Sequence, residues 1–487
     1  MSKNFYITTT LPYVNADPHM GHAMEFVRAD AVARYHRIIN DEVFFNTGTD
    51  EHGAKLLNDA RAAGRDVKEY VDEYAARFRE LIGKLNLSVD NFIRTTDPHH
   101  ETAAREFWRL CDKNGYIYKK NYEVKYCVGC ELEKTESELE NGRCPIHPNK
   151  EIEIISEENY FFKFSAFEKP LSEFYEKNPD FVIPDFRFNE TRAFVARGLQ
   201  DFSISRLKSK MPWGISVPDD DEQVMYVWFD ALVNYISAIG WPDDMDKFNK
   251  WHVKSGGMVQ YCGKDNNRQQ SAMWQAMLLA AGLPPSKHIV INGFIQRGGQ
   301  KMSKSLGNVI SPFDVIDEFK TVTDFPEDVL RFVLLHDIPS FEDGDLTIAS
   351  IKESYRANLQ DGLGNLVSRI MKMATSYEVR LEGEPRKPWP DEKEYEGAVN
   401  KYDIKEAMFL IEKSIGYADS FIQQEKPFKE IKTDPERAKE NVLESLVELF
   451  HIAMALRPCL PRTADEILRL IRENKMPEKP LFARLEK

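Results

Sequence analysis

Several groups of residues in this chain have types and spacings that could do chemistry. The first is Pro18-His19-Met20-Gly21-His22, between a strand-like segment and a helical one. A helix start offers free N–H groups and the positive end of the helix dipole to an anion. Histidines three apart at such a start can both donate to phosphate oxygens, and Gly21 leaves room for a flat base against the backbone. Read alone, the pattern is equally two polar histidines capping a helix. The second group is Lys301-Met302-Ser303-Lys304-Ser305, flanked by Gly298-Gly299 and Gly307. Two lysines three apart on a glycine-bounded loop can close on a polyphosphate. Without a positioning fold they are only a solvated basic loop.

The third group is Cys127-x2-Cys130 followed by Cys144-x2-His147. Two facing knuckles of this kind make a tetrahedral Cys3His site. Four protein ligands leave no open position, so one structural zinc per chain is expected, not a catalytic one. The other cysteines, Cys111, Cys262 and Cys459, are scattered and read as buried thiols rather than a disulfide framework. A fourth group, Trp228, Ala231, Leu232 and Tyr235, falls at i, i+3, i+4, i+7 of a helical segment expected near Tyr226 to Ile239. Core packing alone would account for it. A fifth, Asn365, Arg369 and Lys372, flanks an apolar stripe of Leu363, Leu366, Val367 and Ile370. Its plain reading is a solvated helix face.

The elements that must position these groups follow from pattern. FYITTT (5–10), EVFFN (42–46), NFIRT (91–95), a strand near 258–262 and HIVING (288–293) alternate with helical segments, as in a parallel sheet with βαβ crossovers. Between Tyr116 and about Pro218, turn residues and cysteines replace that rhythm, so an inserted, mostly β domain is expected. After about Phe325 strands vanish and amphipathic helices dominate, with a Pro-rich linker at 382–391. The expected fold is α/β: a split, doubly wound, Rossmann-like parallel sheet with a zinc-knuckle insert and a C-terminal α-helical bundle. The expected boundaries are 1–115 and 223–325 for the catalytic halves, 116–222 for the insert, and 326–487 for the linking segment and bundle.

The chain has 487 residues, 42% hydrophobic and 30% charged, which excludes disorder as the main state. No apolar run reaches the roughly 18 residues of a membrane span. The N-terminus enters a strand with no signal-peptide core, so a cytoplasmic location is expected. A net charge of −14 means that any RNA must be held by local basic patches and not by the overall field.

His19-Met20-Gly21-His22 resembles the HIGH signature of class I aminoacyl-tRNA synthetases, with Met for the usual Ile or Leu. Lys301 to Ser305 matches their KMSKS signature in full. LPYVN (11–15), TGTDEHG (47–53), YVWFDA (226–231), GKD (263–265) and GLGNLV (362–367) are similar to blocks of the methionyl-tRNA synthetase family. That resemblance implies ATP- and Mg²⁺-dependent activation of methionine and transfer to tRNA(Met). It implies ATP contacts from His19, Gly21, His22, Asp265, Lys301 and Lys304, with His19, His22, Lys301 and Lys304 catalytic. It also implies a methionine pocket of Leu11, Tyr13, Asp50, Trp228, Ala231, Leu232, Tyr235 and Gln270. A flexible thioether suits aromatic edges and apolar walls, and Asp50 would take the ammonium, although a helix cap before Ala54 is its plainer role. Asn365, Arg369 and Phe428 are implied as anticodon readers. The chain departs from the family pattern at Gln270, where His is usual, and at Phe428, where Trp is common. The small insert implies no separate editing domain, and a monomer is expected. The alternatives are another class I synthetase, or a zinc-containing RNA-binding protein with an inactive nucleotide fold.

Overall fold

The computed structural model describes residues 3–302, 309–385 and 389–485. By its contacts the chain divides into two units. The first comprises Met1–Asp17, Asp41–Glu80 and Val89–Ile291, and the second Pro18–Asn40, Leu81–Ser88 and Asn292–Lys487.

The first unit is built on a six-stranded sheet in the order Asn91–Arg94, Glu42–Thr49, Asn4–Thr9, Val259–Gly263, His288–Asn292, Val182–Ile183. The central strand Asn4–Thr9 runs parallel to both neighbours, with Ile7 opposite Phe45 and Val259. Its β-branched and aromatic residues are buried on both faces, as a strand covered on both sides requires. From this strand the chain leads one way to Glu42–Thr49 and the other way to Val259–Gly263. That reversal of strand order is a topological switch point, where open parallel sheets place ligands beyond the carboxyl ends of the strands.

Two expectations need correction here. The sheet's outer strand, Val182–Ile183, comes from the segment read as an insert, and at two residues it was too short to carry a pattern. That segment also carries helices beside its strands, which its reading as mostly β did not anticipate. Beside an antiparallel sheet of Leu132–Lys134, Ile117–Cys127, Glu153–Phe162 and Phe202–Ser203 it carries helices Glu168–Lys177 and Asp185–Ala196.

The second unit joins the helix Met20–Ile38 to a bundle that includes Asn365–Ser376, Ile404–Glu425, Pro435–Leu456 and Pro461–Glu473. The joint is polar and buried. Arg28 donates to Asn292 Oδ1 and to the carbonyls of Ile338, Pro339 and Ser340. Asp30 pairs with Arg331 at 2.7 Å. Arg331 in turn donates to the carbonyls of Cys459 and Pro458. Asp30 also pairs with Arg34 at 2.7 Å, so the joint is a buried charge network rather than a single pair. Strands do not vanish after Phe325, as the pattern had indicated. Gly344–Asp345 pairs in parallel with Ile295–Arg297. Between the helices Asn365–Ser376 and Glu392–Asn400, Trp389 is buried and its Nε1 donates to Ser414 Oγ at 2.9 Å.

Candidate active site, metal cluster and bundle face

In the first unit the expected amino-acid residues follow the carboxyl ends of three neighbouring strands. Leu11 and Tyr13 follow Asn4–Thr9, Asp50 follows Glu42–Thr49, and Asp265 and Gln270 follow Val259–Gly263. Tyr13 and Asp50 form a parallel bridge: Asp50 N donates to Pro12 O and Val14 N to Asp50 O. Leu11 packs with Ile93 and Ala238. The Tyr13 hydroxyl and Asp50 Oδ1 are buried with no hydrogen-bond partner. Burial, then the nearby Asp230 carboxylate, push the Asp50 carboxyl well above its ordinary range. A buried carboxylate of this kind is a binding site for a cation. Its plainer role as a helix cap is not seen: the N-cap of Ala54–Ala62 is Gly53, with no side-chain cap bond.

The aromatic face is present, but the continuous helix is not. Val227–Ala231 and Asn234–Ser237 are two short helices, so Tyr235 does not continue the turn begun by Trp228. Leu232 and Tyr235 are buried in the main core cluster, with Trp228 half-buried against it, and Ala231 is buried as well. Tyr235 is held by Gln270, whose Nε2 donates to the phenol at 2.7 Å while its Oε1 accepts from Gln260 at 2.8 Å. Gln270 lies in a π-helical turn, Gln269–Met273, and is fully buried. Asp265 is exposed at the end of its strand.

Sequence reasoning missed several partners of this site. Trp213 Nε1 donates to Glu51 O at 2.5 Å, bringing the insert onto the loop of Asp50. Glu131, directly after Cys130, accepts from Lys55 N at 2.8 Å and from the Tyr126 hydroxyl, and its carbonyl accepts from Tyr226. His52 and His100 both bond Asp230. His52 and Asp230 lie inside the TGTDEHG and YVWFDA blocks, and nothing in the local pattern marks Trp213, Glu131 or His100.

Cys127, Cys130, Cys144 and His147 come together as expected, with their donor atoms all within 4.8 Å of one another. Cys130 Sγ is 3.4 Å from Cys144 Sγ and 3.2 Å from His147 Nδ1. Four such donors fit a tetrahedral ion with bonds of about 2.0–2.3 Å. Gly129 is needed between the cysteines, since a Cβ there would meet the His147 ring at 2.5 Å. This group can hold a metal ion.

In the second unit His19 is the N-cap of Met20–Ile38 and forms a reciprocal capping box with His22. His19 Nδ1 accepts from Gly21 N at 3.1 Å and His22 Nδ1 accepts from His19 N at 3.3 Å. Because both Nδ1 atoms accept, each neutral ring carries its proton on Nε2. The rings stack at 3.8 Å. Burial, then the His19 ring, hold the His22 imidazole well below its ordinary range. Gly21 has a sharper reason than base packing: a Cβ there would meet His19 Cε1 at 2.9 Å and break the cap. Lys301 ends the short strand Gln300–Lys301, opposite Gln296. Lys304 lies outside the described residues.

On Asn365–Ser376 the stripe Leu366, Val367, Ile370 is buried and Asn365 is exposed. Arg369 is half-buried and paired with Asp419. Phe428 is 44% exposed, one residue past Pro427, which opens a short helix after the left-handed Lys426.

A parallel sheet with a switch point and a histidine-capped helix start, in a chain whose sequence carries Lys-Met-Ser-Lys-Ser, are the features of a class I nucleotide-activating synthetase. The family model described as "tRNA synthetases class I (M)" matches residues 5–153 and 129–371. The chain is 38% identical to the methionine–tRNA ligase of Thermotoga maritima, over 98% of this chain and 76% of that protein. It is also 38% identical to the chloroplastic/mitochondrial methionine–tRNA ligase of Arabidopsis thaliana, over 94% of this chain and 76% of that protein. A solved structure of Mycobacterium tuberculosis methionyl-tRNA synthetase in complex with methionyl-adenylate superimposes with a TM-score of 0.90 at 31% identity, covering 99% of this chain and 100% of that one. The chain belongs to the class I (M) tRNA synthetase family. Among the described residues no helix is long and apolar enough to cross a membrane.

Proposed function

We propose that this chain activates methionine with ATP and transfers it to tRNA(Met), as a methionine–tRNA ligase. The observation that carries the reading is its likeness, over nearly its whole length, to a synthetase solved with methionyl-adenylate. In the first step the methionine carboxylate attacks the α-phosphorus and pyrophosphate leaves. No side-chain nucleophile is required, so the residues position the reactants and stabilise charge. Asp50 takes the ammonium, which supplies the cation that its buried oxygen lacks. Leu11, Tyr13, Trp228, Ala231, Leu232 and Tyr235 line the thioether, with Gln270 fixing the Tyr235 ring.

His19 and His22 present their Nε2–H groups to the phosphates, and Lys301 and Lys304 neutralise phosphate charge. Asp265 contacts the ribose, and Mg²⁺ enters with ATP. In the second step a terminal ribose hydroxyl of the tRNA attacks the adenylate carbonyl. Cys127, Cys130, Cys144 and His147 hold a structural zinc that fixes the fold of the insert. Asn365, Arg369 and Phe428 read the anticodon, with Arg369 leaving Asp419 to do so. Charging tests the reading: purified protein should esterify methionine to a tRNA bearing the CAU anticodon, and failure to charge it would contradict the proposal.

A further inference from the structure

Asp50 is linked to a second buried carboxylate through its own loop. Two residues on, His52 Nδ1 meets Asp230 Oδ2 at 2.8 Å. Asp230 Oδ1 meets His100 Nε2 at 3.2 Å, and His100 Nδ1 meets Ser237 Oγ at 2.9 Å. His52 is 4% exposed, and Asp230 and His100 are fully buried. Asp230 sits between Trp228 and Ala231 on Val227–Ala231, and His100 lies on Pro98–Lys113. One carboxylate therefore ties together the loop of Asp50, the helix that carries part of the apolar wall, and the helix of His100.

The charges explain why this matters. Two carboxylates in one dry site drive each other toward the neutral acid unless a cation intervenes. Burial pulls the His52 imidazole down, but the Asp230 charge more than offsets this and holds it above its ordinary value. Burial raises the Asp230 carboxyl, and His52 and His100 bring it below its ordinary range. The other charged neighbours are Glu51 and Glu131 beside Asp50, and Glu101 and Glu51 beside His52. Glu51 is itself paired with Arg94.

We propose that His52, Asp230 and His100 are positioning residues for Asp50: they fix its loop against the Trp228–Ala231 helix, and the His52–Asp230 ion pair limits how far Asp230 opposes ionisation of Asp50. The inference rests on the reading of Asp50 as the ammonium partner. His52, Asp230 and His100 act through Asp50 in this reading, so their effect falls on methionine KM and its pH dependence more than on kcat.

The test is the acid limb of kcat/KM for methionine in ATP–pyrophosphate exchange. His52→Gln leaves Asp230 without its cation, so Asp50 is harder to ionise. The limb moves to higher pH, and each unit of movement raises KM about tenfold on the acid side. Asp230→Asn removes the like charge, and the limb moves to lower pH. The double variant, with a neutral amide pair, follows Asp230→Asn and not His52→Gln. A purely structural role predicts no such opposition of sign, and two variants shifting the same way would overturn the proposal. His100→Gln shifts the limb upward by a smaller amount and carries the test should His52→Gln not fold. Asp50→Asn separates the two layers. An unchanged KM in that variant overturns the ammonium reading and this inference together. A raised KM there, with the His52 and Asp230 variants inert, overturns this inference alone.

Discussion

The proposed amino-acid site of the first unit and the proposed base-reading face of the second are built in opposite states. Asp50 Oδ1 and the Tyr13 hydroxyl are buried and unpartnered, while Gln270, Tyr235, His52 and Asp230 around them are committed to protein partners. On the bundle, Asn365 and Phe428 face solvent, and Arg369 is already paired with Asp419. A small amino acid brings few atoms, so its site holds desolvated polar groups in waiting, and the fold bears the cost of their unmade hydrogen bonds. A tRNA loop brings many contacts, so its face can stay wet and self-satisfied until bases stack on it.

The strongest way to break the contrast is at Lys304, the proposed phosphate contact, which should matter only in the transition state. Lys304→Ala should slow adenylate formation about 10²–10³-fold while methionine binding survives. Exchange at the normal rate would show that the loop assignment is wrong. Next in size is the metal cluster. Metal analysis should find about one zinc per chain. Cys127→Ser or Cys144→Ser should lose it and disorder the insert, with the sheet still folded. A metal-free variant with an ordered insert and full activity would contradict the knuckle reading.

Smaller effects sharpen the contrast itself. Phe428→Ala should weaken tRNA binding by roughly 1–3 kcal/mol and leave exchange without tRNA intact. Arg369→Ala should lower charging of a CAU-anticodon tRNA by less, because the wild-type guanidinium must first leave Asp419. Loss of exchange in either variant would erase the separation between the two regions. Smallest is Gln270→His, expected to change methionine affinity by about 1 kcal/mol, since one imidazole tautomer can keep one of the two amide bonds. A switch in the amino acid activated would show instead that Gln270 sets specificity.

Much of this was legible in the sequence because it is local. The strand–helix rhythm repeats along the chain, the His19/His22 spacing lies within one helical turn and the Cys127–His147 pattern within one short stretch, and the structure brings each set together. What was not legible depends on chain segments far apart. Asp230 meets His52 and His100 across 178 and 130 residues, and no periodicity announces that meeting. Glu131 looked like a residue after a metal ligand, yet it holds the backbone of Lys55. The helix through Trp228 and Tyr235 was read from spacing alone, and tertiary packing divides it into two short pieces. The Arg369–Asp419 pair was invisible because its partner lies on another helix.

The central claim is that the first unit's buried site selects methionine for activation. ATP–pyrophosphate exchange with a panel of amino acids, in the absence of tRNA, tests it most directly. The account predicts exchange that depends on methionine and is far weaker with leucine, isoleucine and cysteine. Exchange driven best by another amino acid, or no exchange with any, would contradict it.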